Sequence, residues 1–121
     1  MVMMHSTVLG ACAATMLASA AHGGGVASDT GLEDLIARLG AENTPTGAGV
    51  EVGHVEVETS GNYGPDTSHV ELADKNYTFM SGTTGVSGHA TQVARRAYGT
   101  GVPGIAPGVD TIWCYDTLDW L

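Results

Sequence analysis

Glu56 and His89 are the two side chains whose types and positions best fit acid–base chemistry. Glu56 lies near the carboxyl end of a predicted strand, where open α/β sheets gather ligands and catalytic groups. His89 lies in the first turn of a predicted helix, where the helix dipole disfavours the imidazolium and keeps the ring able to accept a proton. A carboxylate that orients a neutral imidazole supplies two of the three groups of a nucleophile-activating triad. By placement alone, the pair also fits an ordinary strand end and helix start.

Two strands and a helix are predicted to position this pair. Residues 50–58 are rich in Val, and their interrupted alternation favours a strand buried on both faces of a sheet. A helix is predicted over 89–98, because apolar residues recur there at helical spacing and Ser87 and Gly88 are acceptable caps. A second strand is predicted over 110–115. Strand, helix and strand in this order predict a right-handed parallel unit, so the predicted fold class is α/β.

The remaining segments give weaker patterns. Thr30 and Glu33 have the spacing of a capping box before an amphipathic helix over 32–39. Residues 59–88 are rich in Gly, Ser, Thr and Asn and are predicted to be mainly loop. Three acidic residues near the end of the sequence are expected to face solvent or to cap a short third helix: Asp110, Asp116 and Asp119.

Composition limits the size and the partners of the protein. A length of 121 residues allows one compact domain at most. The chain has 13 acidic and 4 basic side chains, a net charge of −9, and Arg95–Arg96 is its only adjacent basic pair. Nucleic-acid binding requires clustered Lys and Arg, so nucleic acid is excluded as a partner.

The N-terminal segment predicts export to the periplasm or secretion. Residues 7–21 carry no charge, are too short to span a bilayer, and end in an Ala18-Ser19-Ala20 cleavage pattern. The basic residues typical of the start of a signal peptide are absent, and a disordered start is the alternative. Cleavage would remove Cys12 and leave Cys114, which is predicted to be a buried structural thiol because its neighbours are aromatic.

Four short motifs, in order along the chain, resemble those of the subtilases, the subtilisin-like serine peptidases of peptidase family S8. Residues 47–56 resemble the segment around the catalytic Asp of that family, and Pro65-Asp66 resembles the Pro-Asp pair that follows it. Residues 88–94 resemble the G-H-G-T-x-V-A helix start that bears the catalytic His, and residues 104–109 resemble the G-x-A-P turn. The resemblance covers about residues 46–121.

The resemblance implies a fold, a reaction and a role for two residues. It implies a partial subtilisin-like parallel sheet with flanking helices, and peptide-bond hydrolysis through an acyl-enzyme, with a protein or peptide as substrate and no cofactor. Glu56 would orient His89, and His89 would be the general base. The implied organisation is a signal peptide over 1–21, a linker with a short helix over 22–45, and the N-terminal part of a subtilase-like domain over 46–121.

Three departures from the family pattern change the expectation. Glu56 stands where the family has Asp, and Ala90 replaces a Gly. The 121 residues contain no G-T-S-x-A segment, which in the family carries the nucleophilic Ser. Ser81 and Ser87 lie near His89 in sequence but are expected to be loop and cap residues. The chain is therefore expected to be a truncated subtilase that is inactive by itself.

A second class of protein stays open, namely a small secreted binding module without catalysis. For the truncated chain, too few apolar residues for an independent core predict that Trp113, Trp120 and Leu121 are partly exposed and that the chain self-associates; no membrane span is expected. Such a module could also bind a metal, because carboxylates and imidazoles alternate along two segments. The residues concerned are His54, Glu56, Glu58, His69 and Glu71.

Overall fold

The computed structural model describes residues 25–101 and 104–121. The predicted signal peptide, with Cys12, lies outside these residues. The described elements are α1 (Val26–Asp29), α2 (Leu32–Leu39), a 3₁₀ turn (Ala41–Asn43), β1 (Glu51–Glu56), β2 (Asn76–Phe79), α3 (Gly88–Tyr98), β3 (Thr111–Asp116) and α4 (Thr117–Trp120).

The three strands form one parallel sheet in the order β1-β3-β2. Glu51 pairs with Thr111 at one end of the β1–β3 ladder, and Glu56 pairs with Asp116 at the other. β1 and β3 are thus parallel neighbours with α3 between them in the chain, which confirms the predicted α/β class. β2 was not predicted, because it is only four residues long, is half-exposed, and lies within a stretch of turn-forming residues.

Strand β1 is buried on one face only, which corrects the expectation of burial on both. His54 and Glu56 are buried on the face toward α3, whereas Gly53 is exposed and Val55 is half-buried on the other face. The reason is a difference in cover. The eleven-residue helix α3 packs over the first face. On the second face, the described part of the chain provides only the four-residue helix α4 against β1.

The hydrophobic core lies between the sheet and α3. Along β3, Ile112 and Cys114 are fully buried, and they pack with Ala94 and Tyr98 of α3. The loops around the sheet add further buried side chains to this cluster: Tyr63, Leu72 and Val109. The predicted burial of the Cys114 thiol is confirmed, and burial raises its pKa to about 12. A thiol in that state is a packing group rather than a nucleophile.

The helix boundaries agree with the predictions better than the caps do. Helix α2 spans Leu32–Leu39 as predicted, but the capping box is wrong, because the N-cap residue is Gly31 in the left-handed conformation (φ 76°). The Thr30 hydroxyl, just after α1, instead donates to the carbonyl of Val26, the first residue of that helix. At α3 the N-cap is Ser87, and its hydroxyl accepts the Ala90 N–H at 3.2 Å.

The face of the sheet toward α4 exposes apolar side chains, as predicted. Leu121 is 97% exposed and Trp120 is 54% exposed, and Trp113 is half-buried with its indole N–H donating to Glu51. In the part of the chain that the structure describes, no helix is long and apolar enough to cross a membrane.

Candidate active site

The carboxyl end of β1 and the start of α3 meet at one edge of the sheet. Glu56 is the last residue of β1, and His89 is the second residue of α3. Two contacts fix the start of the helix: the Ser87 N–H donates to the Gly64 carbonyl at 2.7 Å, and the Asp66 N–H donates to the Thr91 hydroxyl at 2.8 Å. The loop that follows β1 therefore holds α3 in position beside the strand.

Glu56 and His89 are in direct contact. Nδ1 of His89 lies 2.8 Å from Oε2 of Glu56. The carboxylate is buried, with 8% of its side chain exposed, whereas 78% of the His89 side chain is exposed. An ionised carboxylate can only accept hydrogen bonds, so Nδ1 of His89 carries the hydrogen. Nε2 of His89 is left free to accept a proton, which is the arrangement that a general base requires.

A second histidine lies on the other side of Glu56. Nε2 of His54 is 3.3 Å from Oε1 of Glu56, and Nδ1 of His54 is 2.9 Å from the Tyr98 hydroxyl. Both His54 and Tyr98 are buried. Burial lowers the pKa of His54, and this outweighs the Glu56 carboxylate, which raises it. Burial also raises the pKa of the Tyr98 hydroxyl.

The four side chains thus form one line: Tyr98, His54, Glu56 and His89. Strand alternation predicts His54 and Glu56 on one face, as the structure shows. Tyr98 was missed as a polar group because the helical pattern identifies it only as an apolar core residue. Its distance of 44 positions from His54 gives no local signal of their contact.

Asp116 also lies at this edge of the sheet. It is the N-cap residue of α4, as one of its two expected roles has it, although its side chain makes no capping hydrogen bond. The other expectation, that it faces solvent, is wrong, because Asp116 is 8% exposed. Its carboxylate lies 3.4 Å from the Glu58 N–H. Its place at the carboxyl end of a parallel strand was the signal in the sequence.

The serines near His89 have structural roles, as predicted. The Ser81 hydroxyl accepts the Asp116 N–H at 2.9 Å, and Ser87 caps α3. Within residues 25–101 and 104–121, the contact with Glu56 is the only side-chain hydrogen bond of His89.

The structure brings the residues of the predicted metal site together only in pairs: His54 lies 3.3 Å from Glu56, and His69 lies 3.9 Å from Glu71. His54 bonds to Tyr98, the Glu58 carboxylate accepts the Gly61 N–H, and Glu71 bonds to Arg95. Across the described ranges, no group of three His, Cys, Asp or Glu side chains is placed to hold a metal ion. The metal hypothesis therefore has no geometric support in those ranges.

A cleft with a mixed polar and apolar lining opens beside His89. Its volume is about 350 Å³, and Thr59, Ser60, Asn62 and Val86 line it together with the start of α3. Ser60 has a positive φ of 55°, which is strained for a residue with a side chain. A hydroxyl or water in this cleft could approach the free Nε2 of His89.

The chain was compared with models of protein families, with curated proteins and with solved structures, and none of the three comparisons found a match. The site is therefore defined by its geometry: a buried carboxylate, an exposed imidazole bonded to it, and an adjoining cleft.

Proposed function

We propose that this chain carries the acid and the base of a serine-peptidase site, as the N-terminal part of a subtilase-like domain. The observation that carries the proposal is the 2.8 Å contact between Nδ1 of His89 and the buried Glu56 carboxylate. Glu56 and His89 occupy the positions that the motif resemblance assigns to the acid and the base. The reaction would be hydrolysis of a peptide bond.

In this reaction His89 acts through its free ring nitrogen. Nε2 removes the proton of a hydroxyl nucleophile as that oxygen attacks the scissile carbonyl, and it later gives the proton to the leaving amine. Glu56 holds the ring in the required tautomer and stabilises the imidazolium that forms. Burial of the carboxylate strengthens this stabilisation, because the interaction is less screened by water.

The replacement of the family Asp by Glu56 is compatible with this role. A glutamate carries one more methylene than an aspartate, and a displacement near 1 Å can cost about two orders of magnitude in rate. Even so, the Glu56 carboxylate lies within hydrogen-bond distance of the imidazole. The geometry of this protein thus supports glutamate in the place of the orienting acid.

The nucleophile is proposed to come from a polypeptide segment other than these 121 residues. They contain no G-T-S-x-A sequence, and Ser81 and Ser87 are engaged by backbone amides. The 121 residues alone would therefore not hydrolyse peptides.

The test is to read the coding DNA beyond the Leu121 codon and around the gene, and to express the longer or two-part protein. We expect a G-T-S-x-A segment and hydrolysis of casein that is lost in His89→Ala. Thr91→Ser, which keeps the hydroxyl beside the same helix start, is the matched control and should keep activity. The absence of such a segment from the locus, or activity unaffected by His89→Ala, would overturn the proposal.

A non-catalytic binding module is the second candidate. It is favoured by the apolar residues exposed at α4, where Leu118 is 83% and Leu121 is 97% exposed. Under this alternative, the purified chain forms a stable complex with a partner or with itself, and His89→Ala leaves that complex unchanged. Hydrolysis of casein by the longer or two-part protein, which only the first candidate predicts, distinguishes the two.

A further inference from the structure

Glu56 uses one carboxylate oxygen to contact His89, and the other oxygen faces a buried histidine. Oε1 lies 3.3 Å from Nε2 of His54. That nitrogen is buried and has no aligned hydrogen-bond partner among the described residues. The other ring nitrogen of His54, Nδ1, lies 2.9 Å from the hydroxyl of Tyr98. His54 thus stands between a buried carboxylate and a buried phenol.

The position of the ring hydrogen follows from these neighbours. A neutral imidazole has one N–H and one lone pair. If the lone pair were on Nε2, it would face the negative oxygen of Glu56 across 3.3 Å, and both groups are shielded from water. If the hydrogen is on Nε2, its partial positive charge lies close to Oε1 of the carboxylate, although the N–H is not aligned with that oxygen, and Nδ1 accepts the Tyr98 O–H. The second arrangement gives every group a favourable neighbour.

We propose that His54 is a positioning residue for Glu56: Tyr98 fixes its Nε2–H tautomer, and that N–H restrains the carboxylate so that Oε2 faces His89. The proposal rests on the proposed function and deepens it, because it states how the acid of the site is held. His54 and Tyr98 act through Glu56 and do not touch the reacting atoms.

The restraint matters because Glu56 is longer than the aspartate that the motif resemblance leads one to expect. A glutamate side chain has an additional rotatable bond, and an unrestrained carboxylate would sample several orientations. The buried imidazole closes one side of the space that the carboxylate can occupy. The outer oxygen is therefore presented to His89 in one orientation.

The experiment is nitrogen-15 NMR of the histidine rings in the 121-residue chain, which reports which nitrogen of each ring carries the hydrogen. In the wild type we expect His54 as the Nε2–H tautomer and His89 as the Nδ1–H tautomer. Tyr98→Phe removes the hydroxyl that fixes His54. We expect the Nε2–H to Nδ1–H ratio of His54 to fall about fivefold, which corresponds to the loss of one typical hydrogen bond.

Tyr63→Phe is the matched control. Tyr63 belongs to the same buried cluster as Tyr98, and its hydroxyl donates to the Gly82 carbonyl at 2.7 Å rather than to a histidine. Tyr63→Phe removes a largely buried hydroxyl from the same cluster and should leave the tautomer of His54 unchanged. An equal response to both substitutions would overturn the role of Tyr98.

A second variant pair tests the restraint on Glu56 directly. His54→Phe removes the N–H, and we expect the Nδ1–H preference of His89 to decrease about fivefold. His54→Gln can present an amide N–H near the same position and should restore most of that preference. Wild-type His54 found as the Nδ1–H tautomer, or a His89 ring that is insensitive to His54→Phe, would overturn the proposal.

These measurements are independent of the serine segment. If the locus contains no such segment, the peptidase proposal fails, whereas the tautomers of His54 and His89 still show whether Glu56 is positioned as described. If the peptidase proposal holds and the tautomers do not respond, only the role of His54 fails.

Discussion

The two faces of the β1–β3 ladder differ in what covers them. On the face toward α3, buried side chains of both strands pack against the helix, and the polar groups His54 and Glu56 are included in that packing. On the face toward α4, the rings of Trp120 and Tyr115 pack edge to face, with their centroids 4.7 Å apart. Trp120 itself is nevertheless 54% exposed.

The difference shows that the acid–base pair depends on one face of the sheet. Glu56 and His89 are held by β1, by α3 and by the loop after β1, whose Gly64 carbonyl accepts the Ser87 N–H. None of these contacts involves the apolar residues at α4. Disturbing the α4 face should therefore leave the pair intact, whereas disturbing the α3 face should destroy both the fold and the pair.

The largest effect is expected on catalysis. In a protein that includes the serine segment, His89→Ala should lower kcat by about six orders of magnitude, the cost of removing the triad histidine from a site of this kind. Leu118→Ala, on the α4 face, should leave kcat unchanged. The measurement is the rate of hydrolysis of a chromogenic peptide.

The 121 residues alone, without the serine segment, are expected to have no peptidase activity. Purified chain should not cleave casein and should not react with a fluorophosphonate probe, because no hydroxyl or thiol of the described residues is hydrogen-bonded to His89, whose one side-chain bond there is to Glu56. Cleavage that disappears in His89→Ala would show that a local serine acts as the nucleophile, contrary to this prediction.

A large difference is also expected in stability. Ile112 is fully buried on the α3 face, and Ile112→Ala should lower the free energy of unfolding by about 2–5 kcal/mol. Leu118 is 83% exposed, and Leu118→Ala should change it by less than about 0.5 kcal/mol. Urea unfolding followed by fluorescence measures both. Similar values for the two variants would contradict the assignment of the core to one face.

Local patterns in the sequence were sufficient to predict the helix and the two strands that form the α3 face of the sheet. The apolar spacing of residues 89–98 predicts α3, and the parallel strand order places Glu56 near His89. The half-exposed β2 has no such pattern. Asp116 is the N-cap of the short helix α4, as expected, but its burial was missed because that burial depends on the surrounding strands and loops. The contact of His54 with Tyr98 depends on the packing of a helix against a strand, which no short segment encodes.

A moderate effect is expected on self-association. The exposed apolar groups at α4 should cause reversible dimerisation or dye binding, because burying them removes apolar surface from water. Leu118→Lys should weaken this association. Val70→Lys is the control, since Val70 is equally exposed at 84% but lies in the loop before β2. Sedimentation equilibrium measures the dimer constant, and an equal effect of both substitutions would place the interface elsewhere.

The smallest effect concerns pH and comes from His54. Its pKa in the folded protein lies below the ordinary value of 6.5, chiefly because of burial. Between the folded and the unfolded pKa, the unfolded chain binds more protons, so the contribution of His54 to stability is present above about pH 6.5 and is lost as the pH falls through the folded pKa. His54→Gln cannot titrate in this range. The difference in urea midpoint between the wild type and His54→Gln should therefore shift against the wild type as the pH is lowered from about 7 to 5. If the difference in urea midpoint stays constant or shifts the other way, the folded protein carries a protonated His54. The Glu56 carboxylate would then have a larger effect than burial on the pKa of His54.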